Sequence, residues 1–219
     1  MGADKSIRLS VHESAMLTNG VYLSKQTKQY LHVKRGIDIV LSAIGILFAL
    51  PVVFIFAVLI VLEDFGPPFY IQERVGKNGK VFRIIKLRSM RMDAEKDGAK
   101  WAEANDPRVT KIGALIRKTR IDELPQLLLV LTGEMSIVGP RPERPVFVAQ
   151  FEREIEGFEN RLLVKPGLTG LAQVNGGYDI SPYEKLQYDL AYIRQMSFSL
   201  DMKIIGKTFK VLLTGEGAR

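Results

Sequence analysis

One block breaks the usual mixing of polar and apolar positions along this chain. From Ile39 to Leu62, 24 consecutive residues carry no charged side chain, IVLSAIGILFALPVVFIFAVLIVL. As a helix rising ~1.5 Å per residue the block is about 36 Å long, enough to cross a hydrocarbon core. Residues 1–38, mostly polar, precede it and no small-residue cleavage site follows, which argues against a secretory signal. The lack of any polar face argues against a core helix of a soluble domain. Pro51, near the midpoint, removes a backbone donor and clashes with the preceding turn, so a kink or break is predicted there. Lys25, Lys28, Lys34 and Arg35 lie before the block and Arg74, Lys77 and Lys80 after it, so the flanking charge gives no orientation. Two readings stand: a spanning helix kinked at Pro51, or a re-entrant hairpin that dips into one leaflet and returns.

Elsewhere the periods are ordinary. Residues 1–30 are polar without a sustained period and read as a loosely ordered arm or short surface helix. FYIQERV (Phe69–Val75) and VFRIIKL (Val81–Leu87), joined by the Gly-Lys-Asn-Gly turn at Gly76–Gly79, predict a β-hairpin. That glycine turn lacks the spacing of a phosphate loop. Asp93 to Asp106 is a charged surface segment that ends at Pro107. From Thr110 helical spacing returns, with Ile112, Leu115 and Ile116 in one apolar stripe and Leu124, Leu127, Leu128 and Leu131 in another. In DMKIIGKTFKVLL, Lys203, Lys207 and Lys210 share one helical face, opposed by Met202, Ile205, Phe209 and Leu212. This is the pattern of a helix lying in a membrane interface, and equally of an amphipathic surface helix.

Composition narrows the chemistry. The chain of 219 residues has 31 Lys and Arg against 24 Asp and Glu, a net charge of +7. Its partners are therefore expected to be anionic. The basic residues are not interleaved with aromatics in a recognisable nucleic-acid module, so nucleic acid is not expected among them. With no cysteine, disulfides, thiolate metal sites and a Cys nucleophile are excluded, in keeping with a cytosolic setting. The two histidines, His12 and His32, both precede the main body, which leaves carboxylates and cations to carry any chemistry.

The acids that stand out are Asp122 and Glu123 in TRIDELPQ (Thr119–Gln126). Pro125 is tolerated in the first turn of a helix but not in its interior, so a helix is predicted to start around Asp122. Both acids then sit at a helix terminus that stabilises carboxylates and attracts phosphates, with Arg117, Lys118 and Arg120 just upstream. Helix capping alone explains such a pattern. A second motif adds to it: in GEMSIVGPRPE (Gly133–Glu143), prolines on either side of Arg141 would hold one guanidinium rigidly, as phosphate binding requires. A carboxylate among such cations can attack a phosphoanhydride or hold a Mg²⁺ that neutralises the leaving phosphate.

The ordered series KLRSM, RKTRIDELPQLLLVLTGEMSIVGPRPE, KPGLTGLAQVNG and YDLAYIRQMSFSLDMKII, behind KRGIDIVLS and the proline-bearing apolar block, resembles the bacterial sugar transferases, the monotopic phosphoglycosyl transferases. The likeness runs from about Val33 to Arg219, in a short form without the multi-helix N-terminal membrane domain of larger members. It implies an α+β, mostly helical monotopic membrane protein: an arm over 1–32, a re-entrant helix-break-helix over 33–62 with Pro51 at the break, and a catalytic domain over 63–219. That domain would hold the small hairpin and interfacial amphipathic helices. The implied activity is transfer of a sugar-1-phosphate from a UDP-sugar to undecaprenyl phosphate, releasing UMP, as the first membrane step of surface glycan assembly. Asp122 would be the nucleophile and a Mg²⁺ ligand, and Glu123 would assist. Arg117 and Arg141 would bind phosphate, with Lys86 and Arg88 as further candidates, and Asp189, which matches a family aspartate, would join the substrate-binding set. The likeness further implies the cytosolic face of the bacterial inner membrane, contact with membrane lipid, a homodimer as one possible assembly, and downstream glycosyltransferases as partners. Two rival classes follow from the charge and the apolar block: a non-catalytic membrane-bound protein that binds anionic lipid or recruits a partner, and a hydrolase of lipid-linked phosphates.

Overall fold

The computed structural model describes residues 23–96, 106–176 and 180–214, with side chains to Val211. Most of the expected N-terminal arm and most of the charged segment before Asp106 lie outside the described residues.

The apolar block forms the greater part of α1, Lys25–Glu63, a single helix of 39 residues. It begins within the expected arm, where the Ser24 hydroxyl accepts from Thr27 N at 3.0 Å. It runs through Pro51 without interruption. The expected helix-break-helix is thus one continuous helix: the proline withdraws a single donor, and the remaining ladder carries the helix past it. Its apolar surface is largely uncovered, with Phe48 74% and Phe54 70% exposed. It is the one helix among the described residues long and apolar enough to cross a membrane.

Polar side chains bolt the first part of α1 to the rest of the protein. Lys34 Nζ pairs with Asp201 Oδ2 at 2.5 Å, both buried. Asp201 also accepts from Tyr30 and Tyr192 hydroxyls at 2.7 and 2.8 Å. Asp38 accepts from the Ser136 hydroxyl at 2.8 Å and from Ile137 N at 2.9 Å. Arg35 donates to Val130 O and Leu131 O at 2.6 and 2.7 Å. The far end is tied to the same body. Glu63 accepts from Lys111 N and Ile112 N, capping α2 (Lys111–Lys118), and Asp64 pairs with Arg88. Ile60 shares a buried cluster with Leu87 and Ile116.

The hairpin forms as predicted, β1 (Phe69–Val75) pairing antiparallel with β2 (Val81–Leu87), Phe69 opposite Leu87. Asn78 takes φ 56°, the left-handed conformation that asparagine tolerates, to close the turn. Phe82 and Ile84 pack on Leu129, Val130 and Met135. Ile121–Gln126 is a 3₁₀ turn leading into α3 (Leu127–Thr132), so the predicted start near Asp122 is observed, as a tighter helix around Pro125. β3 (Ser136–Val138) and β4 (Gly167–Thr169) pair in parallel. They leave no room for a side chain: a Cβ on Gly167 would lie 2.1 Å from Gly139 N. α4 (Pro145–Glu154), α5 (Leu171–Gly176), α6 (Pro182–Gln195) and α7 (Phe198–Thr214) complete the order. The main core joins Phe151, Phe158, Leu186, Leu190, Tyr192 and Ile204.

On α7, Lys203 and Lys210 are exposed as expected, but the opposite face is not the one read from spacing. Leu200, Asp201 and Ile204 are buried while Phe209 is 62% exposed, because the helix turns its Asp201 side toward Lys34. Replacing Lys34 with Met leaves Asp201 as an uncompensated buried anion. Thermal unfolding in detergent is expected to show a loss of about 3–5 kcal/mol, whereas Lys203→Met on the exposed side should stay within about 0.5 kcal/mol.

Candidate active site

The 3₁₀ turn sets the geometry of the acidic pair. With about three residues per turn, neighbouring side chains leave the axis ~120° apart, so adjacency in sequence becomes divergence in space. Arg120 enters the turn with φ 56°, and Glu123 N closes it on Arg120 O at 3.2 Å. Asp122 and Glu123 are 7% and 5% exposed, and both line a cavity of about 490 Å³. That is within the size range of sites for small ligands and cofactors.

The two acids meet opposite surroundings. Glu123 accepts from Lys86 Nζ at 3.1 Å and from both terminal nitrogens of Arg141. Burial pushes its pKa up, but Arg141 and Lys86 outweigh burial and hold it well below the usual carboxylate range. Asp122 has no hydrogen-bond partner for its carboxylate among the described residues. Its burial pushes the pKa up to about 6; Lys86 and Arg141 oppose the rise and the Glu123 charge adds to it. One acid is a locked counter-ion and the other a free, more basic carboxylate facing the cavity.

Arg141 is presented rigidly, and the structure shows how. Four successive carbonyls of its turn are each taken by a donor from elsewhere. Gly167 N holds Pro140 O at 2.9 Å and Arg161 Nη2 holds Arg141 O at 2.8 Å. Arg74 Nη1 holds Pro142 O at 3.0 Å and Val75 N holds Glu143 O at 2.9 Å. The Glu143 carboxylate pairs with Lys185 at 2.8 Å, and Arg74 and Arg161 lie at 3.9 and 4.0 Å. Burial raises the pKa of Glu143, yet Lys185 and Arg161 bring it below the ordinary range.

The residues expected at the site divide accordingly. Lys86, Arg117, Asp122, Glu123 and Arg141 are brought together at the cavity, and Arg117 has no carboxylate partner among the described residues. Arg88 also lines it, but its guanidinium is engaged with the Asp64 side chain and carbonyl, which ties it to the end of α1. Asp189 does not reach the cavity. It is 1% exposed and holds Arg161 through Nε and Nη2 at 2.9 and 2.6 Å, so its expected contact with substrate is replaced by a supporting role behind Arg141. Arg161, Arg74, Glu143 and Lys185 were not singled out by the sequence. Glu143 lay in the GPRPE motif without an assigned partner, and nothing local marks Arg161, whose partners are 20 and 28 positions away.

Among the described residues no three His, Cys, Asp or Glu side chains gather as a metal cage. The free Asp122 carboxylate fits the alternative mode, in which Mg²⁺ takes one protein carboxylate and completes its shell with phosphate oxygens and water.

The chain matches the family model described as bacterial sugar transferase over residues 29–215. A Bacillus subtilis (strain 168) protein, provisionally named an undecaprenyl-phosphate N-acetylgalactosaminyl 1-phosphate transferase, is 56% identical over 162 residues, 74% of this chain and 90% of that protein. The UDP-N-acetylgalactosamine-undecaprenyl-phosphate N-acetylgalactosaminephosphotransferase of Aeromonas hydrophila is 47% identical over 87% of this chain and 46% of its own length. Galactosyl transferase CpsE of Streptococcus agalactiae serotype III (strain NEM316) is 44% identical over 87% of this chain and 44% of its own length. The chain thus spans nearly all of the first relative and less than half of the other two. A match that takes in the apolar helix, the acidic turn and the Arg141 turn together leaves one reading of the lineage: the chain belongs to the bacterial sugar transferase family, and is a transferase.

Proposed function

We propose that this protein transfers a sugar-1-phosphate from a UDP-sugar to undecaprenyl phosphate through a covalent intermediate on Asp122. The observation that carries the reading is the free, basic Asp122 carboxylate in a cationic cavity beside an acid already paired. An Asp122 oxygen attacks the sugar-bearing phosphorus, and the P–O bond to UMP breaks with its electron pair leaving on UMP. An oxygen of the polyprenyl phosphate then attacks the same phosphorus and the P–O bond to Asp122 breaks, restoring the carboxylate. With a pKa near 6, Asp122 is mostly ionised at neutral pH and a better nucleophile than an ordinary aspartate. Arg117 and Arg141 bind the phosphates, and Lys86 joins Arg141 in fixing Glu123, whose charge keeps both cations in place. Asp122 would hold a Mg²⁺, and such an ion would supply charge neutralisation at the leaving phosphate.

The same reading covers topology. A straight helix over residues 38–63 is ~37 Å long, and a spanning course would set its two ends on opposite sides of the bilayer. Asp38 and Glu63 both bond to one charged body, which cannot straddle hydrocarbon. Entry and return on one side, with the bend at Pro51 where a donor is missing, accommodates both ties. We place that side at the cytosolic face of the inner membrane, where nucleotide sugars are found. The step opens assembly of a surface glycan and hands its product to glycosyltransferases. The names of the two relatives at 56% and 47% identity support UDP-N-acetylgalactosamine as the donor to assay first, and that of the third supports UDP-galactose as the next.

UMP release from a panel of UDP-sugars, with and without undecaprenyl phosphate, tests the reading. Wild type should give undecaprenyl-diphosphate-sugar. Asp122→Asn should lower turnover by at least ~10³-fold, and Glu123→Gln by less, since it loosens the cations but leaves the nucleophile. Equal loss in both variants would contradict the division of roles. Chelation should abolish UMP release and added Mg²⁺ should restore it, whereas full activity after exhaustive chelation would remove the metal from the mechanism.

A further inference from the structure

The cavity has walls of two kinds. Around Asp122 and Glu123 it is lined by cations, among them Lys86, Arg117 and Arg141. Toward the end of α1 it is also lined by the apolar Pro67, Phe69, Met90 and Met92, with Arg88 and Arg91 beside them. These residues belong to the loop that leaves α1 and to the segment that follows β2, and the two are in contact. A Cβ on Gly66, which has φ 138°, would lie 3.0 Å from Met92 Sδ and 3.2 Å from Arg88 Nη1. Met92 is more than half exposed, and the apolar surface goes on to Phe65, 82% exposed, and Leu62 in the last turn of α1. Arg91 stands between the two methionines in sequence, lines the same cavity and has no carboxylate partner among the described residues.

An apolar strip continuous with the membrane helix, opening into a cationic chamber, matches an amphiphile with an anionic head and a hydrocarbon tail. A nucleotide sugar arrives from water and has no need of such a side. A polyprenyl tail is far too long for a cavity of about 490 Å³ and has to remain in the bilayer while its phosphate reaches Asp122. A wholly charged rim would strip the first isoprene units of apolar contact at that crossing. Methionine, unbranched and polarisable, suits a passing branched chain. We propose that Pro67, Phe69, Met90 and Met92 form the portal through which the tail of the lipid acceptor runs between bilayer and active site. The proposal rests on the transferase reading above and adds to it the path of the second substrate.

The test uses the full-length protein in lipid nanodiscs. Met92→Gln and Phe69→Ser should each raise KM for undecaprenyl phosphate at least fivefold and leave KM for the UDP-sugar within twofold, and Met92→Leu should retain the wild-type KM. A polyprenyl phosphate with a photoreactive group near its phosphate should crosslink within residues 62–92, and unlabelled undecaprenyl phosphate should compete the crosslink away. A rise in KM for the UDP-sugar instead would assign the apolar side to the nucleobase and overturn the portal. So would unchanged constants in both polar variants, or competed crosslinks confined to other segments. Should wild type release no UMP from any UDP-sugar, the transferase reading fails by itself, and the competed crosslink still decides where a polyprenyl phosphate binds.

Discussion

The site depends on how Glu123 is paired. Two buried carboxylates side by side repel, and such a pair stays charged only where cations outnumber them. Here Lys86 from the hairpin and Arg141 from the proline turn both bond to Glu123, while Asp122, in the same cavity and within reach of their charge, takes no hydrogen bond from either. One charge is thereby neutralised and made structural, and its neighbour is left basic and unbonded. The hairpin, the acidic turn and the Arg141 turn are held together at this one carboxylate.

Around that centre the same economy recurs in layers. Arg141 is fixed by Arg161, Arg161 by Asp189, and Glu143 gathers Lys185 and Arg74 nearby. Glu123, Glu143, Asp189 and Arg161 are each buried with a partner of opposite sign, so this network carries a dense set of charges beside an apolar helix. Lys34 with Asp201 and Arg88 with Asp64 extend the scheme to the two ends of α1. α1 and the rest of the described protein are in this way tied together, and in the proposed membrane setting the depth of the site would follow from where α1 is tied.

How much of this was legible in the sequence depended on range. The hairpin came out with its predicted bounds because its signal is local, two stretches rich in aromatic and β-branched residues on either side of a glycine turn. The apolar helix was equally plain, although its start at Lys25 depends on a cap at Ser24 that composition hides. Pro125 located the acidic turn. Pro51 was less informative, since one missing donor does not end a helix whose remaining ladder is intact. The roles of Asp122 and Glu123 were not separable by spacing, because partners 37 and 18 positions from Glu123 decide them. Asp189 was found but misplaced for the same reason: its partner Arg161 lies 28 positions away. The buried face of α7 is set by Lys34 across the whole chain, which no local periodicity reports.

The central claim is that surroundings, not residue type, make Asp122 the nucleophile. Incubating the wild-type protein with its UDP-sugar and Mg²⁺ but without lipid acceptor, quenching in acid and sequencing the peptides by mass spectrometry tests it most directly. One added sugar-phosphate mass is expected on Asp122, discharged when undecaprenyl phosphate is supplied before the quench. The added mass on Glu123, or turnover with no modified peptide at any time, would contradict it.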